Sequence, residues 1–297
     1  MILVTGATGT IGREVLRRLP AGQAVRVMAR EPSKVVRVAA GTEVVAGDYT
    51  DRRSLERALR GVGRALVVTC RVGGDDDARF LRAARSAGVR HVVKLSAAAV
   101  ADSEADDLIT RWQRANEDLL RGSGMRWTML RPRAFMSNTL SWAASVKSER
   151  VVRALYGTSA NVCVDPRDVA AAAVCALTED GHEGRIHTLT GPEPISAVEQ
   201  TAQLGRLLGI PLRFEELSLD RARAALGQRH PAAVVKALLA SAERQRAGAK
   251  ARAEDTVLRL TGRPARSYAT WAADHIEAFG DRPDAGRHGL SRSLRTG

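Results

Sequence analysis

The chain has 297 residues, 44% of them hydrophobic and 27% charged, which is enough for a sizeable buried core and excludes a disordered or fibrous chain. Cys70, Cys163 and Cys175 lie far apart with no Cys-x-x-Cys pair, so neither a disulfide scaffold nor a cysteine-based zinc site is expected, and a reducing, cytoplasmic setting is. A net charge of +13 raises a polyanion partner, but the basic residues are almost all arginine, spread along the whole chain, and 4% aromatics leave little for bases to stack on.

Solvated helix faces account for the charge, and no nucleic-acid partner is expected. The longest uncharged apolar run, Val169 to Thr178, is half of a membrane span, and Met1-Ile2-Leu3-Val4-Thr5 has no basic leader, so no membrane partner is expected either.

In chain order, the first predicted strand is Ile2 to Thr5, and it runs straight into Thr5-Gly6-Ala7-Thr8-Gly9-Thr10-Ile11-Gly12. Gly6 permits a tight turn, Gly9 lets the backbone approach a pyrophosphate, and Gly12 lets the following helix pack on the strand. The helix opens with unpaired N–H groups aimed at phosphate. Gly6, Thr8, Gly9, Thr10, Ile11 and Gly12 are therefore candidate dinucleotide-binding residues. The second strand, Ala24 to Ala29, ends at Arg30 with Lys34 one turn on. An acid there would take the ribose hydroxyls, whereas two cations suit a 2′-phosphate and favour NADP over NAD; Glu31 and an ordinary surface arginine are the competing reading.

The third strand, Glu43 to Ala46, leads into Gly47-Asp48-Tyr49, where Asp48 is placed either for the adenine amino group or to cap the next helix. Further strands are predicted at Ala65 to Thr69, His91 to Leu95 and Trp127 to Leu130, with helical spacing between them at Leu55, Ala58 and Leu59. Short Val- and Leu-rich runs without polar alternation indicate strands covered on both faces, so the fold class is α/β, a doubly wound parallel Rossmann sheet. After Pro132 the helices lengthen, and Ser196 with Glu199 forms a capping box for a helix reaching Leu208. Residues 1–138 are expected as an NADP-binding core, 139–280 as a smaller, mainly helical lobe over the carboxyl edge of the sheet, and 281–297 as a flexible tail.

The glycine turn, Gly47-Asp48, Val92-Val93-Lys94-Leu95-Ser96, Leu130-Arg131-Pro132 with Phe135-Met136-Ser137-Asn138, and Leu189-Thr190-Gly191-Pro192-Glu193 together resemble the atypical short-chain dehydrogenase/reductases. The resemblance is to the NmrA-like branch that includes NAD(P)H:quinone reductases and triphenylmethane-dye reductases. It implies an NADPH-binding Rossmann domain, Pro132 to Phe135 along the nicotinamide, Thr69 and Cys70 flanking the cofactor, and a substrate entering between the sheet edge and the smaller lobe. Tyrosine-dependent members of the superfamily use a Tyr-x-x-x-Lys pair to protonate a carbonyl oxygen. Here Tyr49, Tyr156 and Tyr268 are followed four places on by Arg53, Ala160 and Ala272, so the pair does not exist.

Ser96 matches the family's catalytic serine, but it could equally satisfy a strand end. Gln113 stands where related sequences often carry histidine; it cannot donate a proton at neutral pH but can bind a substrate oxygen. Glu117, one turn along, reads best as a surface carboxylate paired with Arg114 or Arg121. No Gly-x-Ser-x-Gly or His-Glu-x-x-His motif occurs and the histidines lack ligand spacing, so hydrolase and metal chemistry are not expected. Cys70 could be reactive or simply buried. Trp112, Met136, Trp142 and Tyr156, with Phe135, either line a wide apolar pocket or pack the core between lobes.

The expectation is an NADPH-dependent reductase of a conjugated aromatic, quinonoid or polyketide-like molecule, because delocalised charge needs no strong acid. An NADP-sensing regulator that binds a protein partner, and a cofactor-assisted cyclase or isomerase, are the alternatives, and a homodimer is left open.

Overall fold

Strands that are apolar on both faces must be covered on both, and the chain meets this by returning through a helix after nearly every strand. A computed structural model describes residues 1–36 and 38–280. The alternation expected from the sequence is present as β1 (Ile2–Thr5), α1 (Thr10–Leu16), β2 (Val25–Ala29), β3 (Glu43–Ala46), α2 (Arg52–Leu59), β4 (Arg64–Val67), α3 (Asp76–Ser86), β5 (His91–Leu95), α4 (Leu108–Arg121) and β6 (Arg126–Pro132). It continues with α5 (Ala143–Glu149), β7 (Val151–Ala154), α6 (Pro166–Thr178), β8 (Arg185–Leu189), α7 (Ala197–Leu208), β9 (Arg213–Glu216), α8 (Leu219–Gly227), α9 (Ala232–Arg246), α10 (Thr256–Thr261) and α11 (Tyr268–Asp274).

Seven parallel strands lie in the order β3-β2-β1-β4-β5-β6-β8, with Val4 between Val27 and Leu66. Alternate residues face opposite layers: Val4, Val27, Leu66, Val93 and Leu130 pack under α1 and α6, while Leu3, Val92 and Met129 pack with Leu55 and Phe80. The strand order reverses between β1 and β4, the place where a sheet of this kind opens a ligand crevice.

The carboxy-terminal part does not divide where the sequence suggests. Residues 139–280 were expected as one lobe, yet α6 lays Val169, Ala170, Ala173 and Leu177 against α1 and the sheet, and β8 pairs with β6. The reason is that α6 is built of small apolar residues on most sides, so it is stable only inside a layer. The second lobe is instead three separate stretches of chain that share a core of Met136, Val152, Leu204, Tyr268 and Trp271, the first two joined by the parallel pair β7-β9. Its helix α7 starts at the expected capping box and stops at left-handed Gly209. The expected tail, 281–297, lies outside the described residues. No helix among the described residues is long and apolar enough to cross a membrane.

Candidate active site

At the reversal point the carboxyl ends of β1 to β4 open on a cavity of about 410 Å³. The turn after β1 is shaped by two glycines. Gly6 has φ +65°, where a side chain is strained, and a Cβ on Gly12 would fall 2.3 Å from the Gly6 carbonyl oxygen and 2.7 Å from Ala7 Cα. Gly9 caps α1 and brings no side chain over the helix end. Gly6, Thr8 and Gly9 line the cavity, while Thr10, Ile11 and Gly12 form the helix behind it. This bare backbone cradle at a helix start fits a pyrophosphate.

Around it stand Arg30, Asp48, Tyr49 and the exposed Cys70. The Asp48 carboxylate accepts from the Thr50 N–H and hydroxyl, both at 2.7 Å, and these bonds, with Arg30 and Arg71 nearby, hold it below its usual range. Asp51, not Asp48, caps α2, accepting from the Arg53 N–H at 2.9 Å. The Tyr49 hydroxyl donates to the Val68 carbonyl at 3.0 Å. Lys34 does not join the cavity: Glu31, one turn back, takes its ammonium at 2.7 Å. Arg71, which sequence reasoning did not single out, lines the opposite wall and is held by Asp75 and Asp76. Thr69 turns inward, donating to Asp77 at 2.6 Å, and Asp77 also meets the buried Lys94 ammonium at 2.5 Å.

A second cavity, of about 280 Å³, opens at the carboxyl ends of β5 and β6 under α9. Ala97, Ala98, Pro132, Phe135 and Leu238 give it apolar walls, and Ser96, Asp107, Arg133, Arg244 and Lys250 its polar ones. The Ser96 hydroxyl is committed to Glu117 Oε1 at 2.6 Å. Glu117 is fully buried, which corrects its reading as a surface group. The bidentate partner is Arg131 on β6, at 2.8 and 2.5 Å, and Arg121 adds a bond at 2.8 Å. Burial alone would raise the Glu117 pKa, but the bonds from Arg131 and Ser96 hold it below the ordinary range. Gln113 and Asn116 precede it on α4, buried, with Gln113 Oε1 and Asn116 Nδ2 lacking hydrogen-bond partners; Gln113 does not line the cavity.

An NAD(P)H-binding family model matches residues 6–180, more than half of the chain. The chain is 58% identical to a (4-alkanoyl-5-oxo-2,5-dihydrofuran-3-yl)methyl phosphate reductase of Streptomyces griseus, over 94% of this chain and 99% of that one. It is 36% identical to an NAD(P)H azoreductase of Xenophilus azovorans, over 94% and 99%. Among solved structures, an NADPH-dependent quinone oxidoreductase from Escherichia coli, complexed with NADPH, superposes with a TM-score of 0.81 at 27% identity, covering 93% of this chain and 100% of that one. This chain is an atypical short-chain dehydrogenase/reductase that binds NAD(P)H.

As an NAD(P)H-dependent oxidoreductase it departs from the aromatic pocket expected of it. Of the five apolar residues proposed for that pocket, Phe135 lines the second cavity. Trp112 is buried on α4 with its indole N–H on the Gly74 carbonyl at 3.2 Å. Met136 and Trp142 pack into the second lobe's core. The Tyr156 hydroxyl is taken by Glu243, and the Arg246 guanidinium lies 5.3 Å above its ring. Helical and loop spacing cannot separate these core positions from a wall, and two of the cations that do line the reductase's second cavity, Arg244 and Lys250, arrive from α9 and the loop after it.

Proposed function

We propose that the reductase transfers hydride from NADPH to the carbon–carbon double bond of a small acyl lactone carrying a phosphate ester, the kind of molecule named for its Streptomyces griseus relative. The carrying observation is the commitment of Ser96 to the buried Glu117, which leaves its hydroxyl bonded away from any incoming oxygen. With no Tyr-x-x-x-Lys pair in the sequence, the substrate must tolerate the missing acid. In a 4-alkanoyl-5-oxo-2,5-dihydrofuran the ring double bond is conjugated to both carbonyls. Charge arriving at the ring therefore spreads over two oxygens, and water can supply the proton.

Bound NADPH supplies the hydride. The chain's own part is to bind and orient. Gly6, Gly9 and the start of α1 would hold the pyrophosphate, Arg30 the 2′-phosphate that selects NADPH over NADH, and Asp48 and Tyr49 the adenosine end. Pro132 and Phe135 with Ala97 and Ala98 would wall the ring and exclude water. Glu117 and Arg131 hold the ends of β5 and α4 in place behind Ser96.

NADPH deuterated at nicotinamide C4 tests the reading. One face should deliver label to a ring carbon of an acyl lactone, with simple ketones reacting poorly. Binding of NADPH with no label transfer to acyl lactones or quinones would replace the reductase reading by a regulatory one.

A further inference from the structure

We propose that Arg133 and Lys250, backed by Arg244, form a seat for the dianionic phosphate of a phosphate monoester in the second cavity. Beside them the cavity has apolar walls of alanines, Pro132, Phe135 and Leu238 and, among the described lining residues, one carboxylate, Asp107, so that a second and third cation there are costly unless a further anion meets them. Arg133 Nε is buried with no acceptor, and among the described residues its guanidinium has no carboxylate partner. The Lys250 ammonium is bonded to the Ser241 hydroxyl at 2.8 Å, a neutral partner. Arg244 is the paired member, 3.0 Å from Asp107 and 3.3 Å from Asp102. Three cations thus meet on this wall; Asp107 and Asp102 are ion-paired with Arg244, while the charges of Asp102 and Glu254 reach Arg133, and that of Asp107 reaches Lys250, without an ion pair or hydrogen bond.

The backbone fixes both free cations. The Arg133 N–H donates to the Leu189 carbonyl at 2.9 Å, and the Lys250 carbonyl accepts from Val162 at 3.0 Å. Burial, then Arg244 and Arg133, push the Lys250 pKa down to about 8, with Asp107 opposing; Ser241 completes its surroundings. Two cations held in mutual repulsion, neither in an ion pair, are what a dianion would relieve, and a planar guanidinium beside an ammonium matches a phosphate's oxygens. The seat rests on the reductase reading for what the phosphate is attached to, not for its existence.

The test uses the full chain with NADP⁺ bound, so that the cofactor's own phosphate sites are filled, and titrates benzyl phosphate against benzyl alcohol. The phosphate should bind at least tenfold tighter than the alcohol. Lys250→Met and Arg133→Met should each lose tenfold or more for the phosphate while keeping NADP⁺ affinity, which reports an intact fold. Wild-type affinity should fall as pH rises through about 8, because the ammonium loses its charge. Lys250→Arg should keep binding within a few-fold and remove that pH dependence.

Equal affinity for phosphate and alcohol, or methionine variants that bind like the wild type, would overturn the seat. If benzyl phosphate is seated as expected but no acyl lactone is reduced, the seat stands and the hydride reading fails. If a dephosphorylated acyl lactone is reduced with the same KM as its phosphate ester, the seat fails and the hydride reading stands.

Discussion

A carboxylate taken from water needs donors to replace it, and Glu117 finds them on three different elements, in Ser96, Arg121 and Arg131. Its charge matters more than its shape, because Arg131 is nearly buried against it. Glu117→Gln should therefore cost about 3 kcal/mol at neutral pH, the scale for breaking a buried pair. The Glu117 pKa is lowered in the fold, so this stabilisation is present above the ordinary carboxylate range and is lost as pH falls through the depressed value. Melting curves of both proteins should consequently lie well apart at pH 7 and converge in strong acid.

Arg30→Ala makes a second residue-scale test. It should weaken NADPH by about 1.5 to 3 kcal/mol, the range for hydrogen bonds to charged groups, and leave NADH nearly unchanged. Titration of both dinucleotides decides it, and equal losses would remove Arg30 from the 2′-phosphate. Arg30 was legible because a strand end fixes where the next residue stands. The role of Glu117 was not, since helix periodicity pairs it with Arg121 and says nothing of Arg131 on a neighbouring strand. Lys250 was equally hidden, as it reaches the wall from a loop far along the chain from Ser96.

Elements formed by local rules were readable with good precision. Three of the six predicted strands, Ile2–Thr5, Glu43–Ala46 and His91–Leu95, have the bounds expected of them, and the capping box of α7 is in place. The layer to which α6 and β8 belong was not readable, because short apolar runs fit a second lobe as well as a sheet and only tertiary pairing decides.

The glycine turn and the capping box should also respond differently to mutation. Gly12→Ala puts a methyl group into the Gly6 carbonyl and Ala7 Cα, both backbone atoms, so it should cost about 1 to 3 kcal/mol and distort the cradle, lowering NADPH affinity. Ser196→Ala loses a cap and should cost about 1 kcal/mol with cofactor affinity intact. Thermal melts with NADPH titrations read both effects together.

Across the whole molecule the chain moves repeatedly between the two cores. It leaves the sheet after β6, returns at Val164 beside Phe135, leaves again after β8, comes back at Val257 of α10, and ends on the second core with Tyr268 and Trp271. Arg244 of α9 adds ion pairs to Asp107 and Asp102 beside α4. Unfolding should accordingly be one cooperative transition, with near-UV and far-UV circular dichroism sharing a midpoint; separated midpoints would show that the lobes melt independently.

The same threading limits how such a protein can acquire a new specificity. No single crossover near one end of the gene could exchange the second lobe as a module, because its parts are encoded on either side of α6 and β8. The segment after β6 carries Arg133 and Phe135, and the later one carries Arg244 and Lys250. A chimaera that takes one of these segments from a relative would join one parent's Arg133 and Phe135 to the other parent's Arg244 and Lys250, so substrate preference should change only when both are inherited together.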